Sequence, residues 1–204
     1  MQKAPVYAIF DLLGVLIDWN PRHLYRILYR GDTIAMERFL SSVCTPAWHE
    51  AQDAGRPIAE AVDETVTRYP DHRVMIEAYY TQFDRMMRGA NVATVKVLEK
   101  LHASGVHLYA LANFSTETFP LAEARFDFLR LFKAIMISGQ EGIAKPDSRL
   151  YATLVQRHAI NPRRTVFIDG FARNLPPAAA LGMQTIHYTN ADSLSAKLRQ
   201  FGVL

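Results

Sequence analysis

Three polar residues stand where apolar stretches of the sequence end, Asp11 after "VYAIF", Asn113 after "VHLYALA" and Asp169 closing "TVFID", and a fourth, Lys145, lies in "SGQEGIAKPD", to which the apolar run "AIMIS" leads. A carboxylate can act as a nucleophile or move a proton, an ammonium can offset developing negative charge, and an amide can orient a ligand. Each residue also has an ordinary reading. Asp169 can cap the turn that follows it, Lys145 can sit in water on a loop that Asp147 caps, and Asn113 is a common turn residue. Four such residues, each ending a different strand candidate, are the types from which a reaction centre is assembled.

The elements that would carry them have a regular layout. The runs "VYAIFD" (6–11), "VHLYALA" (106–112), "AIMIS" (134–138), "TVFID" (165–169) and "QTIHYT" (184–189) are continuously apolar rather than alternating, the pattern of strands covered on both faces in a parallel sheet. Helix candidates separate them: "VATVKVLEKLHASG", "STETFPLAEARF", "DSRLYATLVQRHAI", "NLPPAAALG" and "DSLSAKLRQFG". The fold class is therefore α/β, a doubly wound parallel sheet, whose ligands collect at the carboxyl ends of the strands. Residues 19–91 differ, with helix-like segments and no strand-like run. Asp32 or Thr33, Thr45 and Asp71 are N-cap candidates, Pro46 suits a first helical turn, and Gly31, Gly55 and Gly89 punctuate. The expected organisation is a core domain of residues 1–18 and 92–204, with a helical domain of residues 19–91 inserted after the first strand.

Composition narrows the class. Half the residues are hydrophobic, 21% are charged and the net charge is +3 with both signs interspersed, so no basic stripe suits a nucleic acid. The one cysteine, Cys44, can form no intramolecular disulfide and fits a reducing, cytoplasmic setting. The apolar stretch from Ala4 to Leu16 has only Lys3 ahead of it and is broken by Asp11, unlike a signal peptide, and no stretch reaches the ~20 apolar residues that span a bilayer. The expected partner is a small-molecule substrate, with neither nucleic acid nor membrane, for a monomer or homodimer.

The order Phe-Asp-x-x-Gly-Val-Leu at 10–16, Leu-Ala-Asn-x-Ser at 111–115, Lys145-Pro-Asp and Phe-Ile-Asp at 167–169 resembles the four motifs of the haloacid dehalogenase superfamily of hydrolases. The resemblance covers the whole chain, because the helical insert falls where that family carries a small helical cap, and it implies a Rossmann-like core. It implies that Asp11 attacks the substrate to form a covalent ester, that Lys145 offsets charge, that Asn113 with Ser115 near it orients the substrate, and that Asp169 lies across the crevice.

Three positions depart from the family's phosphatases. Leu13 stands where they carry a second aspartate, an acid and base worth about 10²–10⁴-fold. Ala112 replaces a serine or threonine, and Gly170 replaces a carboxylate that would bind magnesium. Magnesium generally needs one or two carboxylates beside substrate phosphate, so Asp11 and Asp169 leave at most a weak site, and no cofactor is expected. The family's dehalogenases also lack the second aspartate and use no metal, although they usually carry Ser-Ser-Asn where this chain has Asp169-Gly170-Phe171.

The expected function is thus hydrolysis of a small anionic substrate by an aspartate nucleophile, dehalogenase-like and with little or no metal dependence. A weak magnesium-dependent phosphomonoesterase and a non-catalytic binding protein are the alternatives. In the cap, Trp19, Asn20 and Arg22 are rim candidates, with Arg22 suited to grip an anion; Leu13 and Ser115 complete the substrate-binding set. "WHEAQDAGR" adds Trp48, Gln52, Asp53 and Arg56, against the plainer reading that Trp48 is cap core while Asp53 and Arg56 pair on the surface. His107 and His187 read as core or near-surface residues, and "TFPLAEARFDFLRLF" as helix core with some capacity to support a dimer.

Overall fold

The computed structural model describes residues 5–204; Lys3, part of the signal-peptide argument, lies outside them. Five parallel strands form one sheet: β1 (Tyr7–Phe10), β4 (His107–Ala112), β5 (Ala134–Ile137), β6 (Thr165–Asp169) and β7 (Gln184–His187), in the order β5-β4-β1-β6-β7. The registers Phe10 with Ala110 and Phe10 with Ile168 put the ends of β4 and β6 on either side of the end of β1. Chain order reverses at β1, so the crevice beyond it is the switch point where such sheets bind ligands.

Successive residues of a strand point to opposite faces, and both faces here are covered. Ala8, Phe10, Leu108, Ala110, Val166 and Ile168 enter one core. Ile9, Tyr109, Leu111 and Phe167 enter the other, which helix α9 (Ser148–Arg157) closes with Leu150, Tyr151 and Leu154. The remaining core helices are α6 (Val92–Ala103), α7 (Phe119–Arg125), α8 (Ser138–Glu141), α10 (Leu175–Ala180) and α11 (Ala191–Gln200). The aromatic segment expected as one helix is α7 followed by a 3₁₀ helix, Asp127–Leu131, and it packs inward through Phe119, Phe126, Phe128 and Phe132.

Helices α1 (Pro21–Leu28), α2 (Thr33–Ser42), α3 (Pro46–Asp53), α4 (Ile58–Arg68) and α5 (Arg73–Thr81) make up the insert. Asn20, Asp32 and Thr45 cap the first three by accepting from the N–H of Arg22, Ala35 and Trp48, and Pro21 and Pro46 occupy first-turn positions. Tyr25, Phe39, Tyr79 and Trp48 pack together inside it.

Two expectations for this interval are corrected. A two-stranded antiparallel ribbon, β2 (Ile17–Trp19) with β3 (Met87–Ala90), joins insert to core where no strand was expected. Strands of three and four residues are too short to show a period, and Gly89 lies inside β3 rather than ending a helix. Asp71 caps nothing: it lies in a 3₁₀ turn, Pro70–His72, and α5 starts at Arg73 without a side-chain cap. The helix also stops at Thr81, and a 3₁₀ turn, Phe83–Met86, follows; its period of three buries both Phe83 and Met86.

The loop after β4 is fastened to α8 and to the insert. Ser138 Oγ accepts from the Phe114 N–H (2.9 Å) and donates to the Asp53 carbonyl (2.5 Å), while the Gly139 N–H donates to the Phe114 carbonyl. A Cβ at Gly139 would lie 2.8 Å from both the Phe114 carbonyl oxygen and the Thr116 nitrogen. Gly139→Ala therefore forces backbone apart and costs about 1–3 kcal/mol in a urea unfolding titration. A midpoint equal to wild type would show that this approach is not tight.

Candidate active site

Asp11 sits one residue past β1, and its N–H donates to the Ile168 carbonyl, so the sheet ladder still holds its backbone. The chain then reverses through "LLGV": Gly14 takes φ +82°, its N–H reaches the Ile17 carbonyl, and the Leu12 carbonyl accepts from Leu16 and Ile17. This turn presents Asp11 and Leu13 at the crevice.

Lys145 arrives from the loop between α8 and α9. The Asn113 amide holds that loop by its backbone, donating through Nδ2 to the Lys145 carbonyl (3.0 Å) and accepting from the Lys145 N–H at Oδ1 (2.8 Å). The lysine ammonium lies 2.9 Å from Asp11 Oδ1 and 2.7 Å from Asp169 Oδ2, with all three side chains buried. Asp169 accepts further bonds from the Phe171 N–H (2.8 Å) and from Asn174 Nδ2 (3.1 Å to each oxygen). Asp11 Oδ1 accepts from the Leu12 N–H (2.8 Å).

One cation between two buried carboxylates leaves one negative charge over. Burial above all, and then the charge of Asp169, push Asp11 up to about 7 against the pull of Lys145. Lys145 itself is held above its ordinary range, because the two carboxylates outweigh its own desolvation. Both shifts are upward, and Asp11 is the carboxyl that takes up a proton as pH falls through about 7.

The insert supplies the opposite wall. A cavity of about 370 Å³ with mostly apolar walls lies between them, and Leu13, Trp19, Leu40 and Tyr79 join Asp11 and Lys145 in lining it. Trp19 stacks on His49, ring centroids 4.9 Å apart. His49 Nε2 lies 3.4 Å from Asp53 Oδ2, one turn along α3, and both residues are buried and line the cavity. Burial pushes Asp53 up to about 8, with Glu50 and Asp11 adding to the effect against the Ser115 N–H and Lys145; burial lowers His49 to about 4.

The residues singled out in the sequence thus divide. Asp11, Lys145 and Asp169 meet directly, and Leu13, Trp19 and Arg22 line the cavity. Arg22 is not a free anion grip: it forms a two-pronged pair with Glu37, 2.6 Å at each contact. Asn113 lines the cavity but spends both amide atoms on Lys145. Ser115 is absent from the cavity wall; its hydroxyl accepts from the Glu117 N–H. Asp53 does not pair with Arg56 on the surface, since Arg56 pairs with Glu64 and Asp53 faces His49. The i,i+4 spacing of His49 and Asp53 was a usable signal that they share a helix face. Across the cavity mouth Arg173 pairs with Glu50 of α3.

Two raised carboxyl groups make stability depend on pH. Each is neutral in the folded protein over a range where the unfolded chain, near 3.9, is ionised, so their contribution is full below pH ~4 and is lost as pH rises through about 7 to 8. Asp147 and the other lowered carboxyls act below that window. Unfolding free energy therefore falls from pH 5 to pH 8, and Asp53→Asn flattens the slope; parallel slopes for the two proteins would contradict the placement of Asp53.

Comparison with known proteins bears on the family and the fold. Over 194 residues the chain is 24% identical to sesquiterpene phosphatase astK of Aspergillus oryzae, covering 95% of this chain and 94% of that one. The solved HAD family enzyme bt-2542 of Bacteroides thetaiotaomicron superposes with a TM-score of 0.74 at 20% identity, over 97% of this chain and 100% of that one. The L-2-haloacid dehalogenase of Xanthobacter autotrophicus, solved with chloropropionic acid covalently bound, gives 0.62 at 13% identity over 98% and 84%. Likeness at these identities speaks to fold, whereas the model described as haloacid dehalogenase-like hydrolase matches residues 7–182, and the chain belongs to that family of hydrolases.

Proposed function

We propose that this hydrolase acts on a small, anionic organic substrate by direct attack of Asp11 on carbon, in the manner of a dehalogenase and without a divalent cation, and that the helical insert is the cap over the site. The observation that carries the reading is the Lys145 ammonium between Asp11 and Asp169. A magnesium ion would need the carboxylate oxygens that already share this ammonium, both oxygens of Asp169 are engaged by other donors, and Gly170 offers no further carboxylate. The donor set does not fit the ion.

Both donors to Asp11, the Leu12 N–H and the lysine, reach Oδ1, so Oδ2 is the oxygen for attack. Displacing halide gives an Asp11 ester and needs no proton donor, which accords with Leu13. Water then attacks the ester carbonyl, releasing the alcohol and restoring the carboxylate. Asp11 must be ionised for the first step, so the rate rises with pH through about 7. Arg173 at the mouth, paired with Glu50, would have to exchange that partner to meet the substrate's anionic group.

A second reading is phosphomonoester hydrolysis on an apolar substrate. Near full-length similarity to a protein named as a sesquiterpene phosphatase favours it, as do the apolar walls. One assay separates the two: turnover of 2-chloropropionate and of phosphomonoesters, each with EDTA and with magnesium, in ¹⁸O-water. The proposal expects chloride release in EDTA with ¹⁸O entering the Asp11 carboxylate during a single turnover. Turnover confined to phosphomonoesters plus magnesium, or no label at Asp11, overturns it.

A further inference from the structure

Among the described residues, the core side of the cavity has no group left to move a proton in the second step. Leu13 is apolar, Asp169 is engaged at both oxygens, Lys145 is held between carboxylates, and Asn113 is bound to the lysine backbone. The cap, however, places a buried carboxyl on the same cavity. Resting on the reading that Asp11 forms an ester, we propose that Asp53 is the catalytic base and acid of ester hydrolysis, with His49 as its positioning residue.

The surroundings of Asp53 fix where its proton goes. The Tyr80 hydroxyl donates to Gln52 Oε1 (3.0 Å), so its oxygen is free to accept from His49 Nδ1 at 3.3 Å. The histidine then carries its proton on Nδ1 and turns a bare Nε2 toward Asp53 Oδ2. In the resting site a protonated Asp53 faces that nitrogen. Stacking on Trp19 and the neighbouring Tyr79 keeps the imidazole ring in place.

Ester formation changes this balance. The charged and titratable groups facing Asp53 are Glu50 and His49 of its own helix, Tyr79 and Tyr80 of α5, Asp11 and Lys145 of the core, and Arg173 through its pair with Glu50. When Asp11 becomes a neutral ester its repulsion of Asp53 vanishes and the attraction of Lys145 remains, so the Asp53 carboxylate becomes easier to form, against the burial that still opposes it, and the proton it gives up goes to solvent. The carboxylate removes a proton from water as the water oxygen bonds to the ester carbon. The same proton then passes from Asp53 to the alcohol oxygen as the ester C–O bond breaks. The water's second proton stays on the regenerated Asp11 carboxyl and then returns to Asp53, restoring the resting site, so the sum is R–X plus water giving R–OH, halide and one proton.

The test is a single turnover of 2-chloropropionate followed by intact mass. Asp53→Asn keeps an acceptor for the Ser115 N–H and a donor for His49 Nε2, so it is expected to fold; its thermal midpoint is measured alongside. The expected result is that the variant still forms the Asp11 adduct but hydrolyses it about 10²–10⁴-fold more slowly than wild type, so the adduct accumulates. In His49→Gln the pH midpoint of adduct hydrolysis moves relative to that of adduct formation; midpoints that stay where wild type has them overturn the positioning role of His49. Wild-type-like hydrolysis in Asp53→Asn overturns the role of Asp53 and leaves the Asp11 reading standing. Absence of any adduct in the wild-type protein overturns that reading, and this one with it.

Discussion

Replacing Lys145 with methionine lowers the unfolding free energy by about 3–5 kcal/mol at pH 8, and turnover is lost with it. The methionine fills similar volume, so the effect is electrostatic rather than a cavity. Asp11 Oδ1 and Asp169 Oδ2 each lie within 3 Å of the one ammonium; without it, two buried carboxylates face each other uncompensated. One of them takes up a proton, which limits the cost at low pH. The deficit therefore shrinks as pH falls toward 4, and chemical denaturation at pH 5 and pH 8 measures the difference. A loss equal at both pH values would mean that the lysine contributes packing over Phe167 rather than charge.

Asp11→Asn is expected to reduce turnover by more than ~10⁴-fold while raising stability at pH 8. The neutral amide cannot form the ester. It can still accept the Leu12 N–H, and Lys145 keeps Asp169 as its partner. Because burial and Asp169 hold the Asp11 carboxyl near 7, ionising it above that pH costs the wild-type folded state something the variant avoids. The gain in stability should appear above pH 7 and vanish below pH 4. Loss of activity with gain of stability at one atom's replacement is the signature of a group kept for chemistry. A variant that is both inactive and less stable at pH 8 would assign Asp11 a structural role.

Much of this arrangement was legible in the sequence, for identifiable reasons. "TVFID" is a strand at 165–169 because it is buried on both faces, and a run with no polar alternation states that directly. Strand ends in a parallel sheet converge, so Asp11, Lys145 and Asp169 could be placed together before any coordinate was known. What escaped depends on contacts distant along the chain. Arg22 looks free until Glu37, fifteen residues on, lies beside it. Asn113 looks like a ligand group until the Lys145 backbone takes both of its amide atoms. The face that α3 turns to the core is set by the bond from Ser138 to the Asp53 carbonyl, a partner 85 residues away. Nothing local separates a surface Asp53 from a buried one.

The β2–β3 ribbon has a consequence for how such a protein can diversify. Ile17 pairs with Ala90, and Asn91 binds the carbonyls of Val15 and Leu16, so the two ends of the insert are pinned about one strand spacing apart, ~4.8 Å. A loop whose ends are already together can change length at little entropic cost, since closure grows only with the logarithm of length. The segment between Trp19 and Met87 is in that sense an exchangeable module. Evolution, or an engineer, can graft a different one onto the same two strands and change what is admitted to the cavity, while Asp11 stays where the central strand puts it.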